Sequence, residues 1–460
     1  MKEWASEVDV LVVGSGGCGL AAAIAAHDAG AGVGIVEKLK RPGGNTALST
    51  GSIPGAGTRF QRSAGIDDSP DLMYSDLIGL SGEHDATALT RLLVDRSAEL
   101  VEWLADVAEV RLDVVRDYKH VAHSVPRLHA PASRKGQDLT DDLLRTVAKR
   151  GIPLALANPV RDLEVDDSRA VVGVRTETDS HESIWIGARK TILAVNGFGA
   201  DRELVQTYCP EIVGAMYVGA PGSEGEAIRW GRKLDAALGN MASYQGYASV
   251  IYPHGELLSW TTLEKGGILV NALGERFGNE PLGYSGFTPY VMRQQPPIHA
   301  IFDQRIRDIA AREPWFKELL DYGGAKRADS IAALAVEINV EPARLDATIA
   351  DYNHAAAGKM RDRHGRSDFG IAPLAPPFWF ARVLPALLST QGGLMIDSSG
   401  HVLDRGGRPI PNLFAGGGAV AGISGRSGAV GYASGNGLLH AIGLGWLAGL
   451  AAADEVRRGV

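Results

Sequence analysis

The sequence is poor in the features that mark several protein classes. Only two cysteines, Cys18 and Cys209, occur in 460 residues, which excludes a disulfide framework. The 46 basic residues are outnumbered by 54 acidic ones, so the chain lacks the basic field that nucleic acids attract. The longest apolar stretch, 438–453, is short, rich in glycine and includes His440, so we do not expect it to span a bilayer.

Two further absences bear on where the protein is located and on whether it binds a metal. The first residues, MKEWASEVDV, leave no room for the hydrophobic core of a secretory signal, which with the scarcity of cysteine predicts a cytoplasmic protein. The histidines between 120 and 129 are not accompanied by a second cluster with ligand spacing, so no metal site is predicted. The hydrophobic share of 45% predicts a folded protein, and the length predicts two or three domains.

Glycine, in contrast, is abundant, and its densest pattern lies near the start of the chain. An apolar run, 8–13, predicts a buried strand, and the spacing G-x-G-x-x-G follows at Gly14, Gly16 and Gly19 before an Ala-rich helical run. The first glycine allows the turn, the second lets the backbone approach a pyrophosphate, and the third lets helix and strand pack closely. The phosphates then meet the helix N-terminus.

The residues after this helix indicate which dinucleotide is bound. A second apolar run, 33–36, ends in Glu37, where a carboxylate can bind a ribose hydroxyl. The segment 39–57 is rich in Gly, Ser and Thr and has neither a strand nor a helix pattern. A nicotinamide-binding fold normally continues directly into a helix, whereas a loop of small residues can line an isoalloxazine. The pattern therefore predicts FAD.

The segment EKLKRPGGNTALSTGSI, 37–53, resembles the flavin-binding loop of the fumarate reductase / 3-ketosteroid Δ1-dehydrogenase superfamily. The resemblance extends to GGILVNALGERFGNE (266–280) and to the closing glycine-rich segment 389–449. It implies an α/β fold in which a Rossmann-like, glutathione-reductase-like FAD-binding domain is interrupted by an α+β capping domain. The expected boundaries are 1–240 and 371–460 for the FAD domain and 241–370 for the capping, substrate-binding domain.

The resemblance also implies the residues that hold FAD. A backbone amide near Val160 receives the adenine, and the last helix directs its N-terminus at the flavin. Non-covalent binding is expected, because 45–51 contains no histidine that could attach the flavin. The implied cofactor-binding residues are Gly14, Gly16, Gly17, Gly19, Glu37, Lys38, Gly43, Gly44, Asn45, Thr46, Ser49, Gly51, Val160, Ala194, Gly197, Gly417, Asn436 and Leu438. Asn196 and Gly418 depart from the family pattern, which usually has threonine or glycine at the first and an acidic or amide residue at the second.

Two positions distinguish the branches of the superfamily. Fumarate reductases carry an arginine four positions after the glutamate of the Asn-Glu signature and another in the closing loop, whereas this chain has Tyr284 and Tyr432. By the same alignment, 3-ketosteroid Δ1-dehydrogenases have tyrosine at both. The resemblance thus implies dehydrogenation of a cyclic ketone to its α,β-unsaturated form. Tyr432 stabilises the enolate with the amide near Asn436, and Tyr284 takes the α-proton directly or through Tyr118.

Substrate contacts and alternatives complete the prediction. Arg426 and Arg127 are candidates to bind a carboxylate on the substrate, and Gly435 and His129 are further substrate-binding candidates. The main alternative is a reductase of fumarate or another unsaturated acid, in which Arg276, Arg426 or His129 replaces the missing arginines. A third is a non-enzymatic module on a flavoprotein scaffold. The partners expected are a small-molecule substrate and an external electron acceptor, which the sequence does not specify as NAD, quinone or oxygen.

Overall fold

The computed structural model describes residues 4–116, 120–178 and 182–459. The chain forms two units: Met1–Cys209, Gly219–Tyr244 and Ser389–Val460 make the first, and Pro210–Val218 and Gln245–Leu388 make the second. The strands are β1 Ser6–Val13, β2 Val33–Val36, β3 Ile53–Pro54, β4 Asp113–Val114, β5 Leu128–Ala130, β6 Leu154–Ala155, β7 Val160–Val165, β8 Val171–Glu177, β9 Ser183–Leu193, β10 Met216–Tyr217, β11 Leu238–Gly239, β12 Ala242–Ile251, β13 Ile268–Val270, β14 Ile298–Asp303, β15 Lys326–Ala328, β16 Phe378–Thr390, β17 Gly393–Leu394, β18 His401–Leu403, β19 Pro409–Ala415 and β20 Ser427–Gly428.

The helices are mostly short, with one long helix at the end of the chain. They are α1 Gly17–Asp28, α2 Gly44–Leu48, α3 Arg59–Ser63, α4 Pro70–Ser81, α5 Thr87–Asp95, α6 Ser97–Asp106, α7 Gly136–Lys149, α8 Arg202–Tyr208, α9 Glu226–Lys233, α10 Thr261–Glu264, α11 Gly283–Gly286, α12 Thr288–Met292, α13 Gln304–Ala310, α14 Pro314–Asp321, α15 Ile331–Ile338, α16 Pro342–Ala356 and α17 Asn436–Arg458.

The first unit is built on a sheet with the order β18-β19-β9-β1-β2-β6, extended by the antiparallel β7 and β8. β1 pairs in parallel with β2, Val10 opposite Val33, and with β9, Val13 opposite Leu193. β2 is buried along its whole length and the second half of β1 is buried too, as expected for parallel strands covered on both faces. The carboxyl ends of these strands therefore share one edge, where the glycine-rich turns follow.

Two helices cover the centre of this sheet. α1 is buried from Gly17 to Ala26, and its small residues let α17 pack closely against it. A Cβ added at Gly445 or at Gly449 of α17 would lie 2.1 or 2.3 Å from a backbone oxygen of α1, so glycine is needed at both positions. α17 is long and apolar enough to cross a membrane by composition, but 72% of its apolar window is buried within the fold, which is typical of a core helix.

The second unit has its own sheet, with the order β13-β14-β16-β12 and with β10 and β15 also pairing with β16. β16 pairs with β14 from Ile298 opposite Val383 to Asp303 opposite Phe378. This pairing explains why the unit extends beyond the expected boundary at 370 to Leu388. The mixed α/β architecture with an inserted α+β unit confirms the predicted fold class.

Candidate functional site

The first glycine turn is tight at two positions and open at a third. Gly14 has φ +106°, and a Cβ there would lie 2.4 Å from the carbonyl oxygen of Ala194; a Cβ at Gly19 would lie 1.9 Å from that of Gly14. At Gly16, in contrast, the nearest atom to an added Cβ is the Gly43 oxygen at 3.7 Å. The backbone in front of α1 is therefore accessible where a pyrophosphate needs close approach.

The second glycine segment packs directly on the first. Gly43, with φ +120°, donates its N–H to the Ser15 carbonyl and forms a parallel bridge with Gly16. Thr46 accepts the N–H of Gly17 on its Oγ1 at 3.0 Å. The two loops thus form one surface at the N-terminus of α1. Gly44, the first residue of α2, lies on this surface as well.

Glu37 lies at the end of β2 and is held by the first loop. Its Oε2 accepts the N–H and the Oγ–H of Ser15 at 2.9 and 2.7 Å, and its Oε1 accepts the N–H of Leu39 at 2.9 Å. A carboxylate has about four acceptor positions, so about one is left for a ribose hydroxyl. Val160 begins β7. Two residues before it, Asn158 donates its N–H to the Glu37 carbonyl, so Val160 lies near the end of β2 that carries Glu37.

Lys38 and Asn45 connect this surface to the segment 219–244 of the same unit. The Lys38 ammonium forms ion pairs with Glu224 and Glu226, so its charge is already matched. Asn45 accepts the N–H of Ala220 on its Oδ1 at 2.6 Å. Both side chains therefore brace the loop, and their direct contact with FAD stays a prediction.

Ser15 and Gly136 are two residues that the sequence analysis missed. The Ser49 carbonyl accepts the N–H of Gly136 at 2.7 Å, and the Ser49 hydroxyl accepts the N–H of Gly51 at 3.0 Å. A Cβ at Gly136 would lie 2.0 Å from the Thr46 oxygen, so α7 can begin against the flavin loop only with glycine. Ser15 could have been predicted from its place between Gly14 and Gly16 in the glycine motif. Nothing in the sequence near Gly136 indicates that it contacts the flavin loop.

The closing segment supplies the last part of the surface. Gly435 has φ +81°, caps α17, and lies against the loop at Ser52 and Pro54. Asn436 is buried, and its Oδ1 has no hydrogen-bond partner among the described residues. A buried unpaired acceptor is costly unless a ligand donates to it. Leu438 is buried further along the first turn of α17.

These features fit FAD. The glycine surface at the N-terminus of α1 suits a pyrophosphate, Glu37 suits a ribose, and the orphaned Asn436 oxygen at the start of α17 suits an N–H donor such as that of a flavin pyrimidine ring. Ala194, Gly197 and Gly417 lie at the carboxyl ends of the neighbouring strands β9 and β19.

Asn196 and Gly418, the two departures from the family pattern, are coupled. Asn196 has φ +66° and donates from Nδ2 to Ser223 Oγ at 2.8 Å, which directs its Oδ1 at Gly418. A Cβ at Gly418 would lie 2.3 Å from that oxygen and 2.9 Å from the backbone nitrogen of Gly197. The Asn196 side chain therefore occupies the space that a side chain at 418 would need.

We expect Gly418→Asp to lose about 1–3 kcal/mol of unfolding free energy through overpacking and to retain less FAD after purification. Adding Asn196→Gly removes the closer of the two clashes and leaves the one with the Gly197 nitrogen, so the double variant is expected to recover part of both properties. Thermal unfolding and the flavin absorbance per protein measure the two effects. Gly79→Ala, where an added Cβ meets no atom within 4 Å, is the control. A double variant no better than Gly418→Asp would contradict the coupling.

Tyr432 lies in the first unit beside the start of α17. Its ring is buried, and its hydroxyl oxygen accepts the N–H of Gly437 at 3.0 Å. An amide at a helix N-terminus carries partial positive charge, so it polarises this hydroxyl as a donor to a further oxygen. This geometry suits the predicted role of Tyr432 in stabilising an enolate.

Tyr284 lies in the second unit, in α11. Its ring stacks on Tyr247 with centroids 5.1 Å apart, and Trp260 stands edge-on to it at 6.3 Å. The pKa of Tyr247 lies well above its usual value, mainly because the residue is buried. The nearby Tyr284, Glu313 and Glu264 raise it further through their charges, so Tyr247 stays neutral. Tyr118, the third predicted catalytic residue, lies outside the described residues.

The structure corrects the prediction that Arg127 binds substrate. Its guanidinium is fully buried, donates to both oxygens of Asp68 at 2.9 and 3.0 Å, and donates to Asp76 at 2.7 Å. A buried arginine neutralised by two carboxylates has no charge to offer a ligand. The sequence around Arg127 is rich in histidine and arginine and does not predict these ion pairs, because Asp68 and Asp76 lie more than 50 positions earlier in the chain.

His129 is also fully buried, with its Nε2 2.8 Å from Thr58 Oγ1 and its strand β5 paired with β3. Burial lowers the pKa of His129 to about 4, so the ring is neutral at physiological pH. It supports the flavin loop from behind, and the structure gives it no exposed surface for a substrate.

Arg426 is the remaining predicted cation. Its side chain is exposed, and its guanidinium lies 3.1 Å from Asp85 in an ion pair at the surface of the first unit. Exposed pairs of this kind are weak and exchange readily, so Arg426 is available to a ligand carboxylate. Among the described residues, no group of three or more histidine, cysteine, aspartate or glutamate side chains is arranged to hold a metal ion.

Comparison with known proteins identifies the family to which the chain belongs. The model of the FAD binding domain family matches residues 9–437. The chain is 32% identical over 453 residues to the NADH:fumarate oxidoreductase of Klebsiella pneumoniae, covering 98% of this chain and 48% of that protein. It thus spans about half the length of that relative.

Two solved structures are similar over nearly the whole chain. The open conformation of a flavocytochrome c3 fumarate reductase gives a TM-score of 0.83 at 26% identity, covering 98% of this chain and 79% of that one. The 3-ketosteroid-Δ4-(5α)-dehydrogenase of Rhodococcus jostii RHA1, in complex with 4-androstene-3,17-dione, gives 0.77 at 25% identity, covering 98% of both chains.

Proposed function

The chain belongs to the FAD-binding domain family and, within it, to the flavin-dependent dehydrogenases and reductases of carbon–carbon bonds, and from this premise we propose that it dehydrogenates a cyclic ketone. The reaction places a C=C bond next to the carbonyl. FAD held at the N-terminus of α1 and by Glu37 would supply the acceptor for the β-hydride. The hydroxyl of Tyr432, backed by the Gly437 amide, donates to the carbonyl oxygen, and Tyr284 takes the α-proton.

The observation that carries the proposal is the aromatic and acidic surrounding of Tyr284. Its ring neighbours Tyr247 and Trp260 are aromatic, and Phe287 packs against Trp260. The buried arginines of the same unit are already paired: Arg276 with Glu280 and Asp362, and Arg366 with Glu280. A carboxylate substrate needs an unpaired cation, whereas a ketone needs only hydrogen-bond donors. This supports a neutral substrate.

A second candidate is reduction of an unsaturated carboxylic acid. The Klebsiella relative, an NADH:fumarate oxidoreductase, favours it. Of the three candidates to replace the missing arginines, Arg276 is neutralised and His129 is buried and neutral. This leaves Arg426 to bind the carboxylate by exchange with Asp85. Either direction would need an external electron donor or acceptor to complete the turnover.

An anaerobic titration of the purified yellow protein distinguishes the candidates. We expect saturated cyclic ketones to bleach the visible absorbance of the oxidised flavin, and ketones that also carry a carboxylate report on Arg426. If no ketone bleaches the flavin but fumarate or a related unsaturated acid reoxidises the chemically reduced protein, the dehydrogenase proposal is wrong and the reductase is correct.

A further inference from the structure

The second unit contains an aromatic corner formed by Tyr247, Trp260 and Tyr284. Tyr247 and Tyr284 stack at 5.1 Å with an interplanar angle of 25°. Trp260 stands nearly perpendicular to both, at 6.3 Å and 77° from Tyr247 and at 6.3 Å and 78° from Tyr284. The indole is therefore held against the residue pair that includes the proposed proton acceptor.

Trp260 carries a buried donor that no part of the described structure satisfies. The residue is 6% exposed, and its Nε1 has no hydrogen-bond partner among residues 4–116, 120–178 and 182–459. Trp230 and Trp379, in contrast, donate to the Arg161 carbonyl and to Gln304. An unpaired buried N–H costs the free energy of a lost hydrogen bond, so an acceptor supplied by a ligand accounts for it better than packing does.

The groups beside Trp260 determine what kind of acceptor fits. Glu313 accepts hydrogen bonds from Ser259 at 2.8 Å and from Thr261 at 2.7 Å, the residues on either side of Trp260. The pKa of Glu264 is raised to about 8, mainly by burial. The charge of Lys265 opposes this shift, and the charges of Glu313 and Asp368 add to it. Burial here makes the charged form of a carboxyl group costly, and an ionised carboxylate of a ligand would meet the same cost, whereas a neutral oxygen would not.

We propose that the indole N–H of Trp260 donates a hydrogen bond to a neutral oxygen of the substrate that is distinct from the carbonyl next to the new double bond. Trp260 is then a specificity-determining residue, and the substrate is a cyclic ketone with a second keto, hydroxyl, ether or ester oxygen. This inference rests on the proposed function, because Tyr432 is there assigned to the reacting carbonyl. The hydroxyl of Tyr247 is committed to the Leu258 carbonyl at 2.7 Å and does not compete for the ligand.

The test uses the holoprotein and two ketones of similar shape, 4-methoxycyclohexanone and 4-ethylcyclohexanone. In the ¹⁵N-tryptophan-labelled protein, the indole resonance missing from Trp260→Phe identifies Trp260. We expect the methoxy ketone to shift this resonance downfield and to bind about fivefold more tightly than the ethyl ketone, in line with one neutral hydrogen bond. Trp260→Phe is expected to abolish this preference. Trp379→Phe, which removes an indole that is already paired, is expected to keep it.

The outcomes separate this inference from the proposed function. A stationary Trp260 resonance, a preference that survives in Trp260→Phe, or no binding of the methoxy ketone overturns the role of Trp260, whatever the flavin does. A shifted resonance with no bleaching of the flavin by any ketone supports the Trp260 contact and overturns the dehydrogenase proposal.

Discussion

Tyr432→Phe is expected to retain its FAD, to lose only about 1 kcal/mol of unfolding free energy with the Gly437 hydrogen bond, and to turn over the substrate at least ~100-fold more slowly than the wild type. The ring that fills the buried site remains, so packing changes little. The lost hydroxyl is the one that accepts from Gly437 at the start of α17. A donor of this kind acts mainly on the oxygen that becomes negative in the transition state, so kcat should fall more than binding weakens.

The measurement is steady-state turnover with whichever ketone or unsaturated acid exchanges electrons with the flavin, together with the flavin spectrum. Tyr208→Phe is the matched control, because the hydroxyl of Tyr208 in α8 interacts with Arg232 on the surface of the same unit. If Tyr432→Phe turns over the substrate as fast as the wild type, the Tyr432 hydroxyl has no role in the reaction and the ring only lines the site.

The parts of the site that could be predicted from the sequence are those encoded locally. β1, the glycines, α1, β2 and Glu37 follow one another within the stretch 6–37, and each position has a separate physical reason for its residue type. The start of α17 was equally readable, since Gly435 and Asn436 immediately precede a long apolar helical pattern.

The parts that could not be predicted depend on distant residues. Gly136 is needed because α7 begins against Thr46 and Ser49, and Gly418 because Asn196 and the backbone of Gly197 fill its side-chain space. Arg127 looked like a ligand-binding cation until Asp68 and Asp76 were placed beside it. In each case the sequence shows the residue, while its meaning comes from a long-range contact that no periodicity encodes.

The same reason applies to Trp260 and to the boundary of the second unit. The sequence shows a rise in aromatic content after 240, but not which indole has an acceptor. The expected boundary at 370 followed composition, whereas the observed one at Leu388 follows the pairing of β16.

Buried histidines give the first unit a defined sensitivity to acid. Burial lowers the pKa of His123, His129 and His440 to about 4 each. An unfolded histidine has a pKa near 6.5, so between about pH 6.5 and 4 the unfolded chain binds protons that the native state does not. Stability is therefore complete above about pH 7, falls as the pH drops through this window, and levels off below it.

Other groups change stability in the opposite direction, so the whole-protein curve is a sum. The carboxylates of Asp397 and Glu455 raise the pKa of His401, whose contribution is fully present below about pH 6.5 and is lost as the pH rises through its folded pKa. Glu264, with its raised pKa, also destabilises the protein increasingly as the pH rises above about 4.5. A single buried histidine must therefore be isolated by comparison with a variant.

His440 is the best choice, because it lies in α17, its Nε2 donates to the Ala421 carbonyl at 3.1 Å, and the nearby titratable group is His84. We expect the stability advantage of the wild type over His440→Gln to shrink by about 2 kcal/mol between about pH 7.5 and pH 5. Denaturant unfolding of the holoprotein at both pH values, followed by the flavin fluorescence that reports on the first unit, measures it. A difference that is the same at both pH values would mean that His440 takes up its proton without unfolding, and that the acid sensitivity of this unit arises elsewhere.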